Sequence, residues 1–331
     1  MSELFPAFDW YQVWIAPWRD NADSYLWVAV MGFLVTLTCG MVGNYLILRR
    51  MALVGDAISH SVLPGLAIAF LAASLLATDA ADSTLQAHHD HRNPALMFLG
   101  ALLAGVVTTL LIEVIHKKSR VKQDAAIGIT FSSLFAFGVI LISLFAAKID
   151  LDQECVLYGE ISFIPLELGP DDVIPRSVLR MGVVALLTLG LILAFYKELL
   201  VSSFDSGLAA SLGINATVVH YAMMCWLSVV VVSAFESVGA ILVIAMLVFP
   251  GATASLLSRR LPVMMLLTAI QALLSSLLGL HLSIWLECSS AAAMVVATAG
   301  LFVLAWVAAP REGLLANWRR RRMELIEPPP L

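Results

Sequence analysis

Charged residues are scarce in this sequence. Asp, Glu, Lys and Arg make up 13% of the 331 residues, whereas hydrophobic residues make up 60%. Soluble domains carry roughly 25% charged residues, so this composition excludes an ordinary water-soluble domain. Long apolar runs are present instead, such as residues 26–48 and 125–147. Each run reaches the length of about 20 residues that a helix needs to cross a bilayer, and neither alternates as the strands of a barrel do.

Cysteine and the common catalytic motifs are also sparse. The four cysteines show no CxxC spacing, which argues against a zinc cluster or a disulfide framework. No lysine follows a glycine, so the phosphate-binding motif GxxxxGK[ST] is absent and the chain has no such site for ATP. The motifs HExxH and GxSxG are missing as well, which leaves no catalytic set for a metalloprotease or a serine hydrolase. We therefore predict a protein that is not an enzyme, with no permanently bound cofactor and no nucleic-acid partner.

The apolar runs predict an all-α polytopic membrane protein with about nine transmembrane helices, eight or ten being the alternatives. This number requires that one long apolar region is divided near Glu236. The predicted spans are residues 26–48, 52–77, 95–116, 125–147, 181–201, 216–235, 237–257, 263–282 and 287–308.

The chain divides into three regions around these spans. Residues 1–25 form an interfacial N-terminal segment, residues 26–308 the transmembrane domain, and residues 309–331 a basic tail. Aromatic side chains prefer the membrane interface, and the first region contains Trp10, Tyr11, Trp14 and Trp18. Short cytoplasmic loops accumulate Lys and Arg, and an outside N-terminus places fourteen of the 19 basic residues on the cytoplasmic side. We expect the N-terminus outside and the C-terminus in the cytoplasm.

An aspartate and a histidine interrupt the second apolar run. In LVGDAISHSVLPG, residues 53–65, Asp56 and His60 are four positions apart, so a helix places them on one face. A carboxylate inside a membrane helix costs about 2.5–3.5 kcal/mol and usually faces a transport cavity. Carboxylate and imidazole suit manganese, ferrous iron and zinc, and two copies of the helix across a dimer axis would supply four ligands. The alternative is that the two side chains pair with each other or cap a helix break.

Pro64 follows this pair by one helical turn. A proline lacks its N–H, and its ring collides with the carbonyl four residues earlier, which belongs to His60. The sequence therefore predicts a helix break at Pro64, typical of the interrupted helices that line substrate paths in transporters.

Three further polar segments are candidates for function. Glu236 stands at the junction of two spans and is either a third metal ligand or gate residue, or an interfacial glutamate at a helix N-terminus. The outer loop 79–94 contains clustered imidazoles that could capture metal but that need no tight site, at His88, His89 and His91. Residues 204–215, FDSGLAASLGIN, form a short amphipathic segment that could dock into a groove of a soluble partner. His116, His220 and His281 are isolated, which indicates helix ends or core positions.

These segments resemble the permease subunits of the metal-ion ABC importers. The most specific block is RRMALVGDAISHSVLPGLAIAFL at 49–71. The other similar blocks follow in the family's order: VKQDAAIGITFSSLFA (121–136), VLYGEISF (156–163), FDSGLAASLGIN (204–215) and SVGAILVIAMLVFPGATA (237–254). The similarity covers about residues 26–308 and implies the ABC importer permease fold.

The resemblance implies a dimer of identical or related permeases in the bacterial plasma membrane. Each permease would bind a cytoplasmic ATP-binding subunit, and an extracytoplasmic solute-binding protein would deliver the ion. By position, Asp56 and His60 would contact the metal and Glu236 would be their neighbour. Segment 204–215 would be the coupling helix that seats in the ATPase, through Phe204, Asp205, Leu208, Leu212 and Gly213. The block CVLYGEISF resembles the branch associated with manganese and related ions more than the dedicated zinc permeases.

Two other transport functions remain as alternatives. A siderophore or cobalamin permease would carry a bulky ligand and would not need an Asp/His pair. A secondary carrier driven by an ion gradient would need no ATPase partner.

Overall fold

The computed structural model describes residues 9–78, 94–146, 161–168, 173–310, 313 and 315–316, and within these ranges the chain is helical without strands. Two π-helical turns (Tyr11–Ile15 and Ile142–Ala146) and one 3₁₀ turn (Ile161–Glu167) accompany the α-helices. The α-helices are α1 (Ala16–Asp20), α2 (Ala22–Leu48), α3 (Val54–Thr78), α4 (Pro94–Lys118), α5 (Gln123–Leu141), α6 (Arg176–Ala194), α7 (Tyr196–Phe204), α8 (Ser206–Ser211), α9 (Ala216–Val238), α10 (Ala240–Leu257), α11 (Leu261–Leu286) and α12 (Ser290–Ala308).

The predicted all-α membrane architecture is confirmed. In the described part of the chain, eight helices are long and apolar enough to cross a membrane: α2, α3, α4, α5, α6, α9, α11 and α12. The remaining predicted span, 237–257, corresponds to the shorter apolar helix Leu242–Leu257, which belongs to α10. Every predicted span therefore corresponds to a helix, and the count differs only in whether α10 is included.

Two junctions set the lengths of these helices. α9 and α10 are separated at Gly239, whose φ of 79° and ψ of 166° are accessible only to glycine. This is the division that the sequence predicts near Glu236. The predicted span 181–201 instead divides at Phe195, where α6 ends and α7 begins.

The helices form an inner and an outer group. In an apolar 18-residue stretch of α2 and of α3, 67% of the residues are buried, whereas the value is 22% for α5 and for α12. α2 packs against α6, α10 and α11, and α3 packs against α4 and α5. The inner helices α2 and α3 are consecutive in the chain, so the segment that joins them lies at one end of the core.

Small residues allow α3 to approach its neighbours closely. A Cβ atom added at Gly65 would meet the carbonyl of Gly100 on α4, and one at Gly138 on α5 would lie 2.8 Å from the ring of Pro64. Such close contacts are typical of helix pairs in membranes, where association depends on packing because lipid is as apolar as the side chains. α3 is therefore fixed from two sides by contacts that only glycine permits.

The helix is not interrupted at Pro64, where the sequence predicts a kink or break. α3 is one helix from Val54 to Thr78, with Pro64 in its interior. A proline in a membrane helix is tolerated when neighbouring helices accommodate it, and Gly138 provides the space into which this ring fits. Pro64 thus forms a packing contact between α3 and α5 and does not end the helix.

The N-terminal segment is attached to α11 through His281. This buried imidazole contacts the carbonyl of Val13 through Nδ1 at 2.9 Å and accepts a bond from the Trp18 indole at Nε2 over 3.4 Å. The ring of Trp14 stacks on it, with centroids 4.1 Å apart. His281 is therefore the core residue that the sequence predicts, and it also determines where the aromatic N-terminal segment lies.

The contact between α3 and α5 gives a first testable prediction. Gly138→Ala adds a methyl group against the backbone and ring of Pro64, so we expect a loss of about 1–3 kcal/mol in stability. The control is Gly128→Ala on the same helix, where no atom lies within 4 Å of the added methyl group. Thermal unfolding of the purified protein in detergent measures both variants. Equal stability of the two variants would contradict the tight α3–α5 contact.

Candidate functional site

Asp56 and His60 lie together on α3, as their spacing predicts. His60 Nε2 is 3.4 Å from Asp56 Oδ1, and the side chains are 30% and 42% exposed, respectively. Both groups occupy the N-terminal half of a spanning helix whose core is otherwise apolar. An ionisable pair in a membrane helix that keeps this much exposure faces a cavity or an interface.

The separation of the two ligand atoms suits a small divalent ion. Zinc-type ions lie about 2.1 Å from carboxylate oxygen and imidazole nitrogen. For atoms 3.4 Å apart, an ion at about 2.1 Å from each would form an angle of about 108°, near the tetrahedral value. The pair can therefore chelate one ion without a change in helix geometry. The same distance also permits direct pairing of the two side chains, which is the alternative that the sequence leaves open.

Aromatic rings of α5 hold the imidazole in place. The centroid of His60 lies 5.0 Å from that of Phe131 and 6.0 Å from that of Phe135. Phe135 and Phe235 also line a cleft beside His60 with a volume of about 10 Å³, which is the space of about one water molecule. These contacts restrict the rotation of His60, so its nitrogen stays directed toward Asp56.

The pair is incomplete as a metal centre within the described part of one chain. No group of three or more His, Cys, Asp or Glu side chains is assembled among the residues that the structure describes. The backbone of Glu236 belongs to α9, next to Phe235, which lines the cleft beside His60. The side chain of Glu236 lies outside the described part of the structure, as do His88, His89 and His91, so their predicted roles stay predictions.

Segment 204–215 forms a short helix with defined ends. Asp205 caps α8, because its Oδ1 accepts hydrogen bonds from the amides of Gly207 and Leu208 at 2.8 and 3.0 Å. Gly213 ends the turn with a φ of 79°, and Asn215 caps α9 in the same manner as Asp205 caps α8. Large apolar side chains on this segment remain exposed by 51–61%, namely Phe204, Leu208 and Leu212.

An ionic and polar cluster that the sequence does not predict lies near α8. Glu113 of α4 is 7% exposed and contacts both Lys117 Nζ, at 2.7 Å, and His220 Nε2, at 3.2 Å. His220 also contacts Arg49, so it is not isolated, whereas Nδ1 of His116, at the end of α4, lies 3.2 Å from the carbonyl oxygen of Val121. The detectable signal was Glu113 itself, an acidic residue within an apolar span.

Comparison with known proteins agrees with this architecture. The model of the ABC 3 transport family matches residues 21–309. The manganese transport system membrane protein MntD of Bacillus subtilis is 39% identical over 88% of this chain and 94% of its own length. The zinc transport system membrane protein TroD of Treponema pallidum is 37% identical over 87% of this chain and 75% of its own length.

A solved structure shares the fold. PsaBC from Streptococcus pneumoniae in complex with Fab has a TM-score of 0.71 and 32% sequence identity, and the match covers 95% of this chain and 98% of that chain. A helical bundle with this similarity, together with a family match along nearly the whole chain, identifies a multi-pass transport permease. The chain belongs to the ABC 3 transport family.

Proposed function

We propose that this protein is the permease subunit of an ATP-driven importer that carries divalent transition-metal ions, manganese in particular, across a bacterial plasma membrane. The observation that carries the proposal is the Asp56/His60 pair, held 3.4 Å apart and partly exposed within a spanning helix. Manganese appears in the name of the relative MntD, and zinc in that of TroD. Zinc is therefore the second candidate substrate.

The ion passes through the permease by exchange of ligands. It loses water as it enters the bundle, and the carboxylate of Asp56 and the imidazole of His60 replace two of its ligands. A second copy of the chain supplies the same pair from the opposite side, and Glu236 contributes a further oxygen. A siderophore or a cobalamin permease has no need of a carboxylate and an imidazole side by side, so the Asp56/His60 pair favours a single ion over such a bulky ligand.

The energy for transport comes from a separate ATPase subunit. The sequence lacks the phosphate-binding motif, so ATP is hydrolysed on a partner protein. α8 is the docking element, since Phe204, Leu208 and Leu212 expose apolar surface on a short, capped helix. In this proposal α8 lies on the cytoplasmic side of the membrane. The N-terminus lies on the outside, where a solute-binding protein delivers the ion.

The metal-binding role of Asp56 gives the second prediction. Asp56→Asn keeps the size of the side chain but removes the anionic ligand, so manganese uptake should fall by about 10–100-fold. The measurement is uptake of labelled Mn²⁺ and Zn²⁺ in cells that express the chain with its ATPase and solute-binding protein. His60→Ala should produce a similar loss, because one ligand alone does not hold the ion.

The matched control for this experiment is Asp124→Asn, the same substitution at an exposed position at the start of α5. The amount of each variant in the membrane is measured by immunoblot. Uptake by Asp56→Asn at the level of Asp124→Asn would show that the pair is structural. If the wild-type chain takes up zinc but not manganese, the proposed metal site stands and the substrate is zinc.

The docking role of α8 gives the third prediction. Leu208→Glu places a charge on the exposed apolar surface, so the ATPase subunit should copurify with the permease at about one tenth of the wild-type amount or less. The matched control is Ala210→Glu, which introduces the same charge two positions further along α8, on the other side of the helix. If both variants retain the ATPase equally well, α8 is not the docking element.

A further inference from the structure

Arg49 connects the two chain segments that flank α8. Its guanidinium donates through Nη2 to Ser202 Oγ at 2.8 Å and through Nε to Ser203 Oγ at 3.1 Å, both at the end of α7. Through Nη1 it donates to His220 Nδ1 in α9, at 3.1 Å. One side chain at the end of α2 therefore bonds to the helix before α8 and to the helix after it.

These contacts determine the tautomer of His220. A guanidinium has no acceptor, so Nδ1 of His220 must accept the bond from Arg49 and carries no proton. The proton is then on Nε2, which donates to Glu113 Oε2 over 3.2 Å. Glu113 also accepts from Lys117 at 2.7 Å. The bonds thus run in one direction, from Arg49 through His220 to Glu113.

The same network reaches α3 by two routes. Arg49 directly follows α2 and stands five positions before the start of α3. The intervening turn is held by the backbone bond from Met51 N to Leu46 O. The second route passes through Glu113 to α4, which packs against α3 along the contact at Gly65 and Gly100. A displacement of the α8 region therefore acts on both the start and the side of the helix that carries Asp56.

We propose that Arg49, His220 and Glu113 are positioning residues that transmit movement of α8 to α3 and so couple ATP hydrolysis to passage of the ion. None of them contacts the ion site directly. This inference rests on the proposed function, because it requires that α8 receives the movement of an ATPase. Charged and polar side chains serve this role because their bonds are directional and Glu113 is almost entirely shielded from solvent.

Loss of this link should separate ATP hydrolysis from transport, which is the fourth prediction. Arg49→Gln removes the bidentate bonds to the α7 serines, and His220→Leu removes both bonds of the imidazole. In the assembled transporter in proteoliposomes, we expect labelled Mn²⁺ uptake per ATP hydrolysed to fall by about tenfold in each variant. ATP hydrolysis itself should stay within about twofold of wild type. The double variant should lose no more than either single variant, because the residues belong to one network.

The matched control is Arg50→Gln, which removes the same charge at the adjacent, exposed position. His220→Gln, which retains one acceptor and one donor, should recover part of the coupling that His220→Leu loses. A parallel fall of uptake and ATP hydrolysis in the Arg49 variant would overturn the proposal, since it would indicate a general loss of folded transporter. So would an Arg49 variant that behaves as Arg50→Gln does.

A second measurement tests the link without any transported ion. Hydrogen exchange of the purified chain in detergent reports how firmly the amides of residues 202–215 are held. Arg49→Gln should accelerate their exchange by about tenfold relative to Arg50→Gln. Unchanged exchange would overturn the proposal even if the protein transports manganese. If the wild type does not transport manganese while the exchange result holds, the proposed substrate fails and the structural link remains.

Discussion

A carboxylate within an apolar helix is the constraint on which this structure depends. In hydrocarbon the carboxylate of Asp56 requires a polar partner, and the described part of its own helix provides the imidazole of His60, 3.4 Å away. One imidazole satisfies only part of the hydrogen-bonding capacity of a carboxylate. The surrounding helices therefore leave both side chains partly exposed, while Phe131 and Phe135 restrain the histidine ring. The result is a partly exposed acidic and imidazole pair, which in the proposed function binds the cation.

Close packing of α3 and hydrogen bonding near α8 restrict the helices in two different ways. Contacts at Gly65, Gly100 and Gly138 hold α3 by shape alone, because apolar side chains gain nothing by leaving lipid for protein. Such contacts fix distance but tolerate rotation and sliding. The bonds of Arg49 are directional, so they also fix the orientation of α7 and α9 around α8. A transporter that converts the movement of a soluble partner into movement of a helix benefits from both.

The sequence predicts the helices well because bilayer thickness imposes a length and an apolar composition on each of them. The junction at Gly239 is equally accessible, since only glycine adopts its backbone conformation. The helix continues past Pro64 without interruption, and the sequence does not reveal that Gly138, 74 positions later, provides space for the ring. The sequence cannot show that His220 has partners for the same reason. Its partners Arg49 and Glu113 are 171 and 107 positions away, and only tertiary packing brings them together.

The incompleteness of the metal pair is itself consistent with transport. A resident ion is held by four or more ligands that are fixed by the fold, and it dissociates slowly. A transported ion has to be bound and released in each cycle, so one helix should supply fewer ligands than a stable site needs. Asp56 and His60 are two candidate ligands on α3, and no third His, Cys, Asp or Glu joins them among the described residues. In the dimer that we propose, a second copy of α3 doubles the number of candidate ligands as it approaches and halves it as it withdraws. On this proposal, the affinity of the site depends on the distance between the two helices, which is the quantity that a moving partner can change.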